Sequence, residues 1–131
     1  MKPKKLILTS FRRALASLEA VLQKTEVDDI IRDATIQRFE YTYEIAWKMI
    51  DRHLTWMGAA DVKQLSRKDL FREAAKAGLI EDPEAWFDYN RARNETSHTY
   101  SEQTAIEVFE AAKQFAPAAR KLLIVLEQTH G

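Results

Sequence analysis

The residues of this chain best suited to chemistry stand together in one octapeptide, Arg93-Asn94-Glu95-Thr96-Ser97-His98-Thr99-Tyr100. A guanidinium holds a phosphate in two-point geometry, and an imidazole takes or gives a proton near neutrality. Those are the tools for cleaving RNA without a metal. The imidazole removes the 2′-hydroxyl proton, the freed oxygen attacks the adjacent phosphorus, and the guanidinium offsets the developing charge. Arg93 and Ser97 are four apart and so share a helix face, and His98 reaches that face if the helix ends or loosens there. Asn94 and Ser97 are the supporting polar groups. A purely structural role stands beside this one. Arg and His near a helix C-terminus complement its dipole and bond the last free carbonyls. An Arg-x4-His string is also common by chance, so spacing alone leaves both readings open.

A second polar group precedes it at Arg38, Glu40, Glu44 and Lys48. Glu44 and Lys48 are placed for an i, i+4 ion pair worth a few tenths of a kcal/mol. Glu40 and Glu44 repel at the same spacing, which calls for a partner to one of them. The set is either a solvated helix face or a support in which one carboxylate orients His98 or lines a cleft. The other histidines promise less: His53 reads as a rim or surface residue, and His130 as part of a frayed end. No His-Glu-x-x-His occurs and no two histidines stand at the spacing of a metal pair, so neither metal nor cofactor is expected.

The elements that must position these residues are helices. The chain has 131 residues, 46% of them hydrophobic, and only 3 Gly and 3 Pro interrupt it. That suits one helical domain over residues 1–131 and leaves too few turns for a sandwich or barrel. With no Cys there is no disulfide, cysteine nucleophile or thiolate metal site. Lys+Arg and Asp+Glu are both 20, and zero net charge argues against a general nucleic-acid coat but not against a small local site. No run approaches the roughly 20 apolar residues of a membrane span, and the start lacks a signal-peptide core, so a cytoplasmic protein is expected.

Apolar periodicity predicts a first helix over about Lys5–Gln23, through Ile7, Phe11, Ala14, Leu15, Leu18, Val21 and Leu22. Thr25 would cap a long second helix, about Val27–Met57, with the stripe Ile36, Phe39, Tyr43, Ala46, Trp47, Ile50, Leu54 and Met57, stopped by Gly58. Tyr41 and Trp56 lie off the stripe as interface candidates. Ser66 with Asp69 opens a short helix ending at Gly78, and Asp82-Pro83 opens the one that carries Trp86, Tyr89 and Asn90 toward Arg93. Ser101 or Thr104 caps the last helix, running to about Gln128 through Ile106, Phe109, Ala112, Phe115, Leu122, Leu123, Val125 and Leu126, with a kink at Pro117. The sum is an all-α, antiparallel up-and-down four-helix bundle with a short additional helix.

Three segments carry a resemblance. Arg93–Tyr100 fits the Arg-x4-His-x-Tyr pattern of HEPN domains of the HepT kind. Ile36–Lys48, and Phe71–Ile80 leading to Trp86, resemble the nucleotidyltransferase substrate-binding subfamily of that group in order and spacing. The resemblance implies a helical bundle that forms a homodimer and partners a separate minimal nucleotidyltransferase. It further implies a toxin-antitoxin pair in which Arg93 and His98 are catalytic in a metal-independent ribonuclease. There the transferase silences the nuclease by placing AMP on Tyr100. The alternative within the same group is a non-catalytic subunit that binds RNA or a nucleotide, or presents a substrate to the transferase.

Overall fold

The computed structural model describes residues 3–131. Five α-helices and two 3-10 turns make up the order: α1 Thr9–Leu22, α2 Asp29–Trp56, a turn Val62–Gln64, α3 Arg67–Lys76, α4 Pro83–Asn94, a turn Glu95–His98, and α5 Glu102–His130. The predicted all-α bundle is what forms: four main helices, with α3 as the short extra one, and no strand among the described residues. No helix among them is long and apolar enough to cross a membrane. Helix α1 lies against α2 and α5, α2 against α5 and α4, and α3 against α4.

Helix starts follow side chains that satisfy free N–H groups. Asp28, not the expected Thr25, caps α2 and accepts from Ile31 N at 2.8 Å. Both can act as caps, but the carboxylate stands directly before the first turn and outcompetes a hydroxyl three residues earlier. Ser66, Asp82 and, of the two candidates, Ser101 cap α3, α4 and α5. Gly58 and Gly78 have φ of 89° and 80°, and the residue after each donates back into the helix (Ala59 N to Leu54 O, Leu79 N to Ala74 O). Such a left-handed stop is cheap only for glycine. Helix α5 continues through Pro117, although this residue has no N–H to offer the Lys113 carbonyl.

Helix α1 begins four residues later than expected, at Thr9. The preceding segment is not helical and is tied across one end of the bundle: Leu6 N donates to His130 Nδ1 at 3.0 Å and Trp56 Nε1 to Pro3 O at 3.3 Å. Ile7 consequently points to solvent at 80% exposure and Leu8 takes the core position. Met57 and Ile106 also lie outside the core, and Trp47 sits at its edge.

The core centres on Phe115 of α5, fully buried, whose ring meets Phe39 and Tyr43 of α2 and Trp86 and Tyr89 of α4 at centroid distances of 5.3–6.1 Å. All four pairs are edge-on, which suits the ring quadrupoles. This hub fixes α4 against α2, and so fixes what the last turn of α4 presents.

The two histidines outside the motif are not where the sequence put them. His53 is 6% exposed, and His130 is inside the last turn of α5 rather than frayed. His53 Nδ1 and His130 Nε2 stand 2.8 Å apart, with the Trp56 ring against both. Since His130 Nδ1 accepts from Leu6, the neutral ring carries its proton on Nε2 and donates it to His53. Burial lowers both histidine pKa values; His130 lowers His53 further, and Lys5 lowers His130.

Candidate functional site

Arg93 lies in the last turn of α4, next to its final residue Asn94, and the chain then tightens into the 3-10 turn Glu95–His98. With about three residues per turn instead of 3.6, the partner of Arg93 becomes the residue three on. Arg93 Nη1 donates to Thr96 Oγ1 at 3.2 Å, and that hydroxyl donates to the Arg93 carbonyl at 2.8 Å. Ser97, expected on the Arg93 face, is exposed, and Thr96 holds the place assigned to it.

The carboxylates of α2 converge on the same guanidinium. Glu44 Oε1 is 3.1 Å from Arg93 Nε and Glu40 Oε1 is 3.8 Å from Arg93 Nη2. The Nε–H is buried but not aligned on Glu44, so the contact is ionic rather than a linear hydrogen bond. The repelling pair Glu40/Glu44 therefore shares one cation from another helix. Glu44 turns away from Lys48, whose ammonium lies instead 5.8 Å from the Trp47 ring centre. Neither carboxylate bonds His98; the group they orient is Arg93.

His98 and Tyr100 are exposed, Tyr100 at 88%, with their rings edge-on at 6.2 Å. A shallow depression of about 420 Å³ runs beside them, lined by Asp33, Ile36, Gln37, Glu40, Thr96, Thr99 and Tyr100. The site thus has a held cation at its back, a free imidazole and phenol at its front, and an acidic wall from α2. Asn94 is exposed at the edge of this face.

Behind Arg93 stands a group that periodicity concealed. Trp47 Nε1 donates to Glu44 Oε2 at 3.1 Å, and the Arg67 guanidinium covers the Trp47 ring at 3.6 Å. Arg67 Nη1 donates to Tyr43 Oη at 3.2 Å and reaches Asn90 Oδ1 at 3.4 Å, while Tyr43 donates to Asn90 at 2.6 Å. Burial pushes the Tyr43 phenol up to about 12, with the Arg67 hydrogen bond opposing. Trp47 and Tyr43 read as plain core from the stripe. The one available sign was Arg67, a cation at the first position of a helix, where the dipole disfavours it.

Comparison with known proteins bears on this geometry. A curated relative from Haemophilus influenzae, a probable ribonuclease HepT, is 36% identical over 109 residues, covering 82% of this chain and 75% of the relative. A solved Haemophilus influenzae structure, described as the fold of a substrate binding domain of a nucleotidyltransferase, superposes with a TM-score of 0.82 at 32% identity. The match covers 92% of this chain and 99% of that one. A Thermus thermophilus structure follows at a TM-score of 0.75 and 30% identity, covering 88% and 98%. The family model for nucleotidyltransferase substrate binding protein like sequences matches residues 6–128, and with nearly the whole chain inside that match, the chain belongs to this family.

Proposed function

We propose that this chain is the partner subunit of a two-component module whose other part is a separate minimal nucleotidyltransferase. We further propose that Arg93 and His98 form a metal-independent endoribonuclease site which the transferase silences through Tyr100. The observation that carries the reading is the last turn of α4: Arg93 anchored from behind, with His98 and Tyr100 free beyond it. The name of the relative at 36% identity supports it.

In this mechanism His98 takes the proton of an RNA 2′-hydroxyl as its oxygen bonds to phosphorus, and Arg93 offsets the charge on the non-bridging oxygens. The bond to the 5′-oxygen breaks, and that oxygen needs a proton. A homodimer with the two motifs facing across its axis supplies it from the second His98. The products are a 2′,3′-cyclic phosphate and a 5′-hydroxyl. For silencing, Tyr100 Oη attacks the α-phosphorus of ATP, losing its proton as pyrophosphate leaves. The bound AMP then stands beside His98 and excludes RNA.

Purified protein in a metal chelator is expected to cut RNA, and His98→Ala or Arg93→Ala to lower the rate about a hundredfold or more. Equal cutting by the variants, or a need for divalent metal, overturns the site. The pairing of Arg93 with two carboxylates favours a second reading, a non-catalytic subunit that binds a nucleotide or the transferase itself. It predicts no cleavage, a stoichiometric complex with the transferase, and transferase activity that depends on this chain.

A further inference from the structure

We propose that Trp47 and Arg67 are positioning residues for Arg93, acting through Glu44; the inference rests on the reading of Arg93 as the group that meets the phosphate. The contacts close a ring. Arg93 meets one oxygen of Glu44, and the other oxygen accepts from the Trp47 indole. The Arg67 guanidinium stands over that indole, 3.6 Å from the ring centre, and ties to Asn90, three residues before Arg93 on α4. Three helices are thus joined around one side chain, with α2 giving Glu44 and Trp47, α3 giving Arg67, and α4 giving Asn90 and Arg93.

Each link acts on the next for a definite reason. A carboxylate turns freely about its last bond unless both oxygens are engaged, and the indole N–H fixes the second one. The indole ring in turn can swing, and the planar cation at 3.6 Å from its centre pins it. Neither residue is needed to fill the core, which closes on Phe115 without them; Trp47 is only half-buried and Arg67 stands at the rim. Arg67 also sits at the first position of α3, against the helix dipole, with Lys68 beside it. A residue placed against local preference marks a site where another demand wins. Here the demand is orientation of a guanidinium whose aim must hold to a fraction of an ångström for it to meet a transferring phosphoryl group.

The test uses two edits that spare the fold. Trp47→Phe keeps a smaller ring under Arg67 and deletes the N–H donor, while Arg67→Met keeps a long apolar stem and deletes the planar cation. In protein labelled with ¹⁵N-arginine, the Arg93 Nε–H signal is identified by its loss in Arg93→Lys. Its exchange with water is expected to rise at least tenfold in both variants, with melting temperatures near that of the parent. Arg67→Lys, which keeps the charge but not the plane, is expected not to restore slow exchange. In the cleavage assay both variants are expected to lose about tenfold in kcat at unchanged KM. Unchanged Arg93 exchange in Trp47→Phe and Arg67→Met overturns the positioning role, whatever the assay gives. Faster exchange in a protein whose parent form cuts no RNA leaves the positioning role standing and removes the nuclease reading instead.

Discussion

Tyr43 shows how much one hydroxyl can carry in this molecule. It is fully buried, donates to Asn90 at 2.6 Å and accepts from Arg67, so its removal leaves two polar partners short of a bond. Tyr43→Phe is expected to cost about 1–3 kcal/mol, read from the denaturant midpoint at pH 7. The same phenol sets an alkaline limit. Its folded pKa is raised to about 12, from about 10 unfolded, so it stabilises fully below pH 10 and ceases to as pH rises from 10 to 12. The gap between parent and Phe variant should therefore narrow across that window, and a constant gap would disprove the link. At this scale the sequence was half legible. Arg93 and His98 stand out by type, though their spacing leaves a catalytic and a capping role both open, and Tyr100 enters through the family resemblance alone. Thr96 was hidden by the assumption of a 3.6-residue turn where the chain tightens, and Trp47 by a stripe that counts an indole as oil and ignores its N–H.

Among elements, what the sequence states best is where a helix begins, because the cap is a local hydrogen bond. Ser66 and Asp82 could be named from the chain alone, and Ser101 as one of two candidates with Thr104, and all three cap. The start of α2 separates two readings cleanly. Asp28→Ala is expected to cost about 1 kcal/mol, and Thr25→Ala no more than a few tenths, by urea denaturation. Equal losses would mean that the cap is not at Asp28. The start of α1 was illegible for a different reason: the residues from Lys5 to Leu8 continue the apolar pattern, but Leu6 bonds to His130 and the preceding Pro3 to Trp56, and this stretch stays out of the helix. Partners 124 residues apart leave no trace in local periodicity.

Across the whole molecule two ends do different work. Arg32 of α2 meets Glu102 of α5 near the motif, and His53 of α2 meets His130 of α5 at the far ends of the same helices. The second junction is sensitive to acid. Both imidazoles have pKa values below the usual 6.5, so the unfolded chain takes up protons first. Their contribution is complete above about pH 6.5 and is lost as pH falls through the lowered values. Protonation gives His130 Nδ1 a hydrogen where it must accept from Leu6, which opens the strap over this end. Melting temperature measured down to pH 5 is expected to fall in the parent and to fall less in His130→Gln; parallel curves would refute the link. The charge balance of the chain says nothing of such a junction, since it is made of neutral rings.

The position of Trp56 between those two rings has an optical consequence. A protonated imidazole quenches a neighbouring indole, so emission from this tryptophan should dim in mild acid while the fold persists. The chain holds 3 tryptophans, and the other two sit elsewhere, Trp47 beneath Arg67 and Trp86 in the aromatic hub. Replacing these two by phenylalanine leaves a single native tryptophan that reports one end of the bundle opening, in real time and without an attached dye.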